Sequence, residues 1–101
     1  VRMYPKDEIA SINAAMAALS RNDLVSAERY LKMVNAHKQL PEYSNAMGVL
    51  MLLKGDYEHA EEYLKAAAEA GLEAAGQNLE ELATKRTNAA EIEKKNKNRD
   101  K

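Results

Sequence analysis

Cysteine is absent from the 101 residues, which removes thiol redox chemistry and cysteine metal sites and leaves the compartment open, since a Cys-free domain suits oxidising and reducing surroundings alike. Trp and Phe are absent too. The aromatics are five Tyr and much of the apolar fraction is Ala, a mix that favours closely packed helices over a thick sheet core. The four Gly, at 48, 55, 71 and 76, stand singly, so no Gly-rich loop cradles a phosphate. The two His, His37 and His59, sit in polar stretches that predict exposure, neither lies i, i+4 from another ligand, and no nucleophile stands beside a base and an orienting group. Glu58 with Glu61 or Glu62, and Glu80 with Glu81, are expected as solvated charge on acidic helices. The expectation is no enzyme, no cofactor and no metal.

Long apolar runs are missing as well. The longest, "AMGVLMLL" from Ala46 to Leu53, falls far short of the roughly 20 residues that span a bilayer, so direct membrane insertion is not expected. The chain opens on Val1 without an initiator Met or a signal-type apolar stretch, as a piece of a longer protein does. At this length it makes one domain, which buries about two-thirds of the surface that its unfolded chain exposes. A net charge of −1 conceals an asymmetry: residues 1–84 carry eight Lys/Arg against thirteen Asp/Glu (−5), and residues 85–101 seven against three (+4). The basic end, "KKNKNRDK", offers charge for a few phosphates but no aromatic ring to stack on a base, and the body is acidic, so nucleic acid is not an expected partner.

What is present is repetition. "DLVSAERYLK", Asp23 to Lys32, and "DYEHAEEYLK", Asp56 to Lys65, agree at six of ten places and stand 33 residues apart. Around them the apolar periodicity is helical. Ile9, Ile12, Met16 and Leu19 form one stripe over Asp7 to Leu19; Leu24, Ala27, Leu31 and Val34 form a second, N-capped by Asp23. A third helix, about Glu42 to Leu53 and started by Pro41, is apolar nearly all round in its second half, as a helix covered on several sides is. Gly55 can close it in the left-handed conformation and Asp56 can cap a fourth, Tyr57 to about Ala70; Leu72, Ala75, Leu79 and Leu82 mark a fifth. Beyond Thr87 only Ile92 remains as a large apolar residue, and 88–101 are expected to form a disordered tail.

The same 33-residue offset aligns Ala15 with Gly48, Asn22 with Gly55 and Ala27 with Ala60, a period typical of helix–turn–helix arrays. With Met47-Gly48, the Gly55-Asp56-Tyr57 turn, and Ala60, Leu64 and Ala67 at the packing places of the second helix, the chain resembles the tetratricopeptide repeat (TPR) family. Ser44, Met51 and Leu72 depart from that family's aromatic and Pro places. The resemblance implies an all-α solenoid of antiparallel helix pairs with right-handed superhelical stacking. It divides the chain into the end of a preceding repeat or linker at 1–6, where Pro5 closes an earlier helix, repeats at 7–39 and 40–72, a capping helix at 73–87 and the tail. Gly48 and Ala60 are expected face to face where two helices approach most closely, and Tyr30 and Tyr63 to lay their rings on neighbouring helices with the hydroxyls in water.

TPR arrays bind protein segments on the face lined by the first helix of each pair. Place by place, the resemblance puts Ile9, Ile12, Asn13, Met16 and Leu19 there from the first repeat, with Glu42, Asn45, Val49, Leu52 and Leu53 from the second. With Asn13 and Asn45 but no basic residue among them, a carboxylate clamp is not expected; an apolar or helical protein segment, or self-association, is. The entry "VRMYPKD" with "INAA" and "DLVSAERYL" is also similar to the C-terminal repeat region of some Gram-negative cell-envelope proteins that carry an outer-membrane-protein-A-like domain, which points to the envelope or periplasm, with the cytoplasm as the alternative. The expected function is an interaction or assembly scaffold; the alternative is a structural spacer or end-piece of a larger envelope protein with no ligand of its own.

Overall fold

The computed structural model describes residues 5–34 and 40–99, and among them every regular element is an α-helix. The five helices are α1 (Pro5–Ser20), α2 (Leu24–Lys32), α3 (Pro41–Lys54), α4 (Tyr57–Glu69) and α5 (Glu73–Arg99). His37 and residues 1–4 lie outside the described residues.

The turns repeat as the sequence does. α1 closes through Asn22 in the left-handed conformation, φ 61°, and α3 closes through Gly55, φ 86°. In both turns the next residue is an Asp whose N–H reaches back over the helix end, Asp23 to the Ala18 carbonyl at 2.8 Å and Asp56 to the Met51 carbonyl at 2.9 Å. Each Asp then caps the following helix: Asp23 Oδ1 accepts from the Ser26 N–H, and Asp56 Oδ1 from the His59 N–H. Asn tolerates the left-handed region better than most side chains, which is why Asn22 can stand where the second copy has Gly.

The core is built on close approach. α3 packs against α1, α2, α4 and α5, which accounts for its apolar second half. Gly48 lies under Leu64 of α4, so tightly that a Cβ at 48 would sit 2.5 Å from Leu64 Cγ and 3.3 Å from its backbone nitrogen. The residue over Gly48 is therefore Leu64, one turn beyond the Ala60 that the repeat alignment suggests. Ala60 and Ala67 are fully buried on the same face of α4. Ala15, Ala18, Ala27 and Ala46 are buried to the same degree in the first half of the molecule. Small residues at helix contacts bring the axes together, and Ile12, Leu31, Leu50 and Leu64 fill the space between them.

At the start of the described residues Pro5 already lies within α1, and the expectation that it closes an earlier helix falls on residues 1–4, which lie outside the described residues. At the other end α5 does not stop near Thr87 but continues to Arg99, through the stretch expected to be disordered. Residues 77–99 contain neither Gly nor Pro and many good helix formers, including the Glu91–Lys95 pair at i, i+4, so the α5 backbone has no reason to break where its apolar stripe ends. From Thr87 to Lys95 every side chain is exposed. Truncation after Thr87, in dilute solution at high ionic strength, should reduce the far-ultraviolet helix signal while leaving the thermal midpoint within about 2 °C of the parent, because the removed side chains that the structure describes, Asn88 to Lys95, are all exposed. A clear drop in the midpoint would show that the overhang docks on its own body.

Candidate interaction surfaces

The stripe of apolar residues divides once the helices are packed. Ile12, Leu19 and Leu52 are only 2%, 5% and 3% exposed and belong to the core instead of lining an open groove. The reason is the central position of α3. With α1 seated against both α2 and α3, the inner edge of the α1 stripe becomes a seam between helices. Leu52 is likewise enclosed, packing with Ala60, Leu64 and Leu82 of α4 and α5. Asn45 is also buried: its Oδ1 accepts a hydrogen bond from Asn78 Nδ2 at 2.8 Å, a bridge between α3 and α5 across 33 residues of sequence. Buried amides are retained where they are paired, so this bond holds two helices in register instead of offering Asn45 to a partner. What stays accessible is narrower. Ile9, Met16 and Val49 are half-buried against the core, Asn13 and Glu42 are exposed, and Leu53, one residue beyond Leu52 and turned outward, is 37% exposed.

A second surface, which no sequence expectation names, lies along α4. Pro41, Tyr43 and Ser44 of α3 and His59, Glu62, Tyr63, Ala66 and Ala70 of α4 line an open cleft of about 670 Å³. It forms because small Ala66 and Ala70 follow the bulkier Tyr63 on one side of α4, at steps of three and four. Burial, together with the nearby Tyr63 hydroxyl, pushes the Tyr43 pKa up. Tyr63 is thus half-buried in the cleft wall, while its repeat counterpart Tyr30 is exposed on α2.

His59 stands at the mouth of the cleft, exposed, with Nδ1 2.6 Å from Asp56 Oδ2. The bond to Asp56 and the charge of that carboxylate raise the His59 pKa above its ordinary value, and Glu62 and Glu58 add to the effect. The same contact, chiefly the hydrogen bond from the ring, holds Asp56 below the usual carboxylate range. Elsewhere the polar contacts join neighbouring helices at the surface: Lys54 at the end of α3 meets Glu28 of α2 at 2.9 Å, and Arg86 of α5 meets Glu61 of α4 at 3.6 Å. Exposed pairs of this kind contribute little to stability.

Among the described residues, no group of three or more His, Asp or Glu side chains is placed to hold a metal ion, and no helix is long and apolar enough to cross a membrane. No protein-family model, curated protein or solved structure matches the chain.

The Asp56–His59 pair gives a defined pH response. Because the folded pKa of His59 is raised, its stabilising contribution is fully present below the unfolded His value of about 6.5 and is lost as pH rises through the folded value. Asp56, whose folded pKa is lowered, contributes above the unfolded carboxylate value of about 3.9 and loses that contribution as pH falls through its folded value. An NMR titration should place His59 above the ordinary imidazole value, and Asp56→Asn, which keeps a capping side chain, should bring it back. A His59 value that Asp56→Asn leaves unchanged would refute the pairing.

Proposed function

We propose that the chain is a TPR-like helical-repeat module that holds a segment of another protein on the side shared by α1 and α3. The observation that carries this reading is the repetition at 33 residues of backbone hydrogen bonds, and not of sequence alone. Asn22 to Leu19 is matched by Gly55 to Leu52, Asp23 to Ala18 by Asp56 to Met51, and Ala27 to Asp23 by Ala60 to Asp56. A unit that recurs in turn, cap and packing residue is one that stacks on copies of itself, and stacked units leave one extended side for a ligand. The Asn45–Asn78 bond continues the same spacing into α5. In this reading antiparallel pairs stack in a right-handed superhelix, α5 closes it, and the surface offered comprises Ile9, Asn13, Met16, Val49 and Leu53. An amphipathic helix or extended segment with a few apolar anchors matches a surface of that composition.

A second reading, that the module is a spacer or stabilising end-piece, is favoured by the burial of Ile12, Leu19 and Leu52, which leaves less open apolar surface than the stripe promised. The two are separated by selecting a displayed library of random peptides on the intact protein and mapping the binding by chemical-shift changes. As an interaction module it should enrich peptides with apolar residues at helical spacing, with shifts concentrated at Asn13, Met16, Val49 and Leu53. Asn13→Glu with Leu53→Glu should abolish binding while changing stability by no more than about 0.5 kcal/mol per site, as exposed positions allow. Leu52→Glu, one residue away, should unfold the protein, since an unpaired buried carboxylate costs several kcal/mol. Failure to enrich any peptide, or shifts confined to other faces, would leave the spacer reading.

A further inference from the structure

The cleft along α4 and the overhang of α5 complement one another, and we propose that the cleft of one molecule receives the α5 overhang of a second copy of this chain. The cleft has the chemistry of a cation site. Tyr43 and Tyr63 present aromatic rings, and Glu62 supplies an exposed carboxylate beside Tyr63. Such a combination attracts an ammonium or guanidinium group by ring electrostatics and by a charge-assisted hydrogen bond. Cations are scarce in residues 1–84 and concentrated after them. Residues 1–84 carry a net −5, whereas the overhang from Thr87 to Arg99 carries four Lys/Arg against two Glu, a net +2, so charge draws the end of one molecule to the body of another.

The dimensions agree. From His59 to Ala70 the wall of the cleft runs along eleven residues of α4, about 16 Å at the helical rise, and from Thr87 to Arg99 the overhang is about 18 Å long. The overhang also carries an apolar anchor. Ile92, 59% exposed and the one large apolar residue between Thr87 and Lys95, lies three residues from Lys95 and so on the same side of the helix. Ile92 suits the space above Ala66 and Ala70, with Lys95 on the same side reaching Glu62 and the tyrosines.

The overhang cannot serve its own cleft. α5 runs back along α4, bringing Arg86 beside Glu61 near the start of α4, and so projects past the end at which His59 stands. A straight helix leaving in that direction does not return. The contact is therefore intermolecular and head-to-tail, with different surfaces on the two molecules. One short helix in one cleft buries less than about 1,200 Å², which makes the association transient and sensitive to salt. It uses neither Asn13, Met16 nor Leu53, and so is independent of the partner surface on α1 and α3.

Sedimentation of the full chain tests the proposal by charge reversal, using exposed residues that leave the core intact. At about 0.05 M salt the parent should self-associate, and at about 0.5 M the association should weaken tenfold or more. Glu62→Lys alone, or Lys95→Glu alone, should weaken it at low salt by about tenfold or more, and the two changes combined in one chain should restore it. A parent that stays monomeric at low salt, an association indifferent to either change, or a combined variant that fails to recover would each overturn the proposal.

Discussion

The contact between Gly48 and Leu64 sets the geometry on which the rest of the molecule depends. Leu64 fills the space that any side chain at 48 would occupy, and its own backbone nitrogen lies close behind, so α3 and α4 approach to backbone distance. Close approach at one point dictates small residues at others. Ala60 and Ala67 are buried on the same face of α4, and Ala46 on α3. A core of Ala and Leu loses little side-chain entropy on folding, but it holds only while the helices remain close, because thin side chains cannot bridge a wider gap. Of the larger side chains of this pair, Tyr57 packs against the core, while Tyr43 and Tyr63 line the cleft at its edge.

From that pair the remaining helices take their places. α3 touches all four others, so the two halves share one scaffold and do not form separate cores. Polar groups fix position more than they add stability. Asn45 and Asn78 satisfy one another between α3 and α5, and the Asp caps determine where α2 and α4 begin. The outer faces carry charge, acidic on the body and basic on the α5 overhang, and the two surfaces proposed for contact lie on the outside of the molecule: the narrow strip of α1 and α3, and the cleft along α4.

Much of the fold was legible in the residues because the signals were local. Asp23 and Asp56 marked helix starts, Gly55 marked a helix end, and steps of three and four marked the buried faces of α2, α4 and the first half of α5. Each follows from backbone chemistry within a few residues. What local pattern cannot specify is which side of a stripe a neighbour covers. Ile12, Leu19 and Leu52 belong to the same periodic series as Ile9, Met16 and Val49, and only the placement of α3 among four helices separates core from surface. The register of Gly48 on Leu64 instead of Ala60 is likewise a matter of one helical turn, beyond the resolution of an alignment by offset. The α5 overhang is illegible for a different reason: a stretch without apolar residues reads as disordered, yet without Gly or Pro helix propensity alone continues the helix. The α4 cleft left only a faint signal, Tyr63 followed by Ala66 and Ala70.

Unfolding measurements on Gly48→Ala, alone and with Leu64→Ala, address the central contact most directly. In an unconstrained helix Ala is about 1 kcal/mol more favourable than Gly. Here the new Cβ meets a fully buried Leu64, and the substitution should destabilise by about 1–3 kcal/mol through overpacking. With Leu64→Ala already present, the same change should become neutral or stabilising, since Leu64 Cγ and Cδ2, the two atoms nearest the new Cβ, are gone. Gly48→Ala that stabilises the protein equally in both backgrounds would contradict the account, because α3 and α4 would then not be held together at this point.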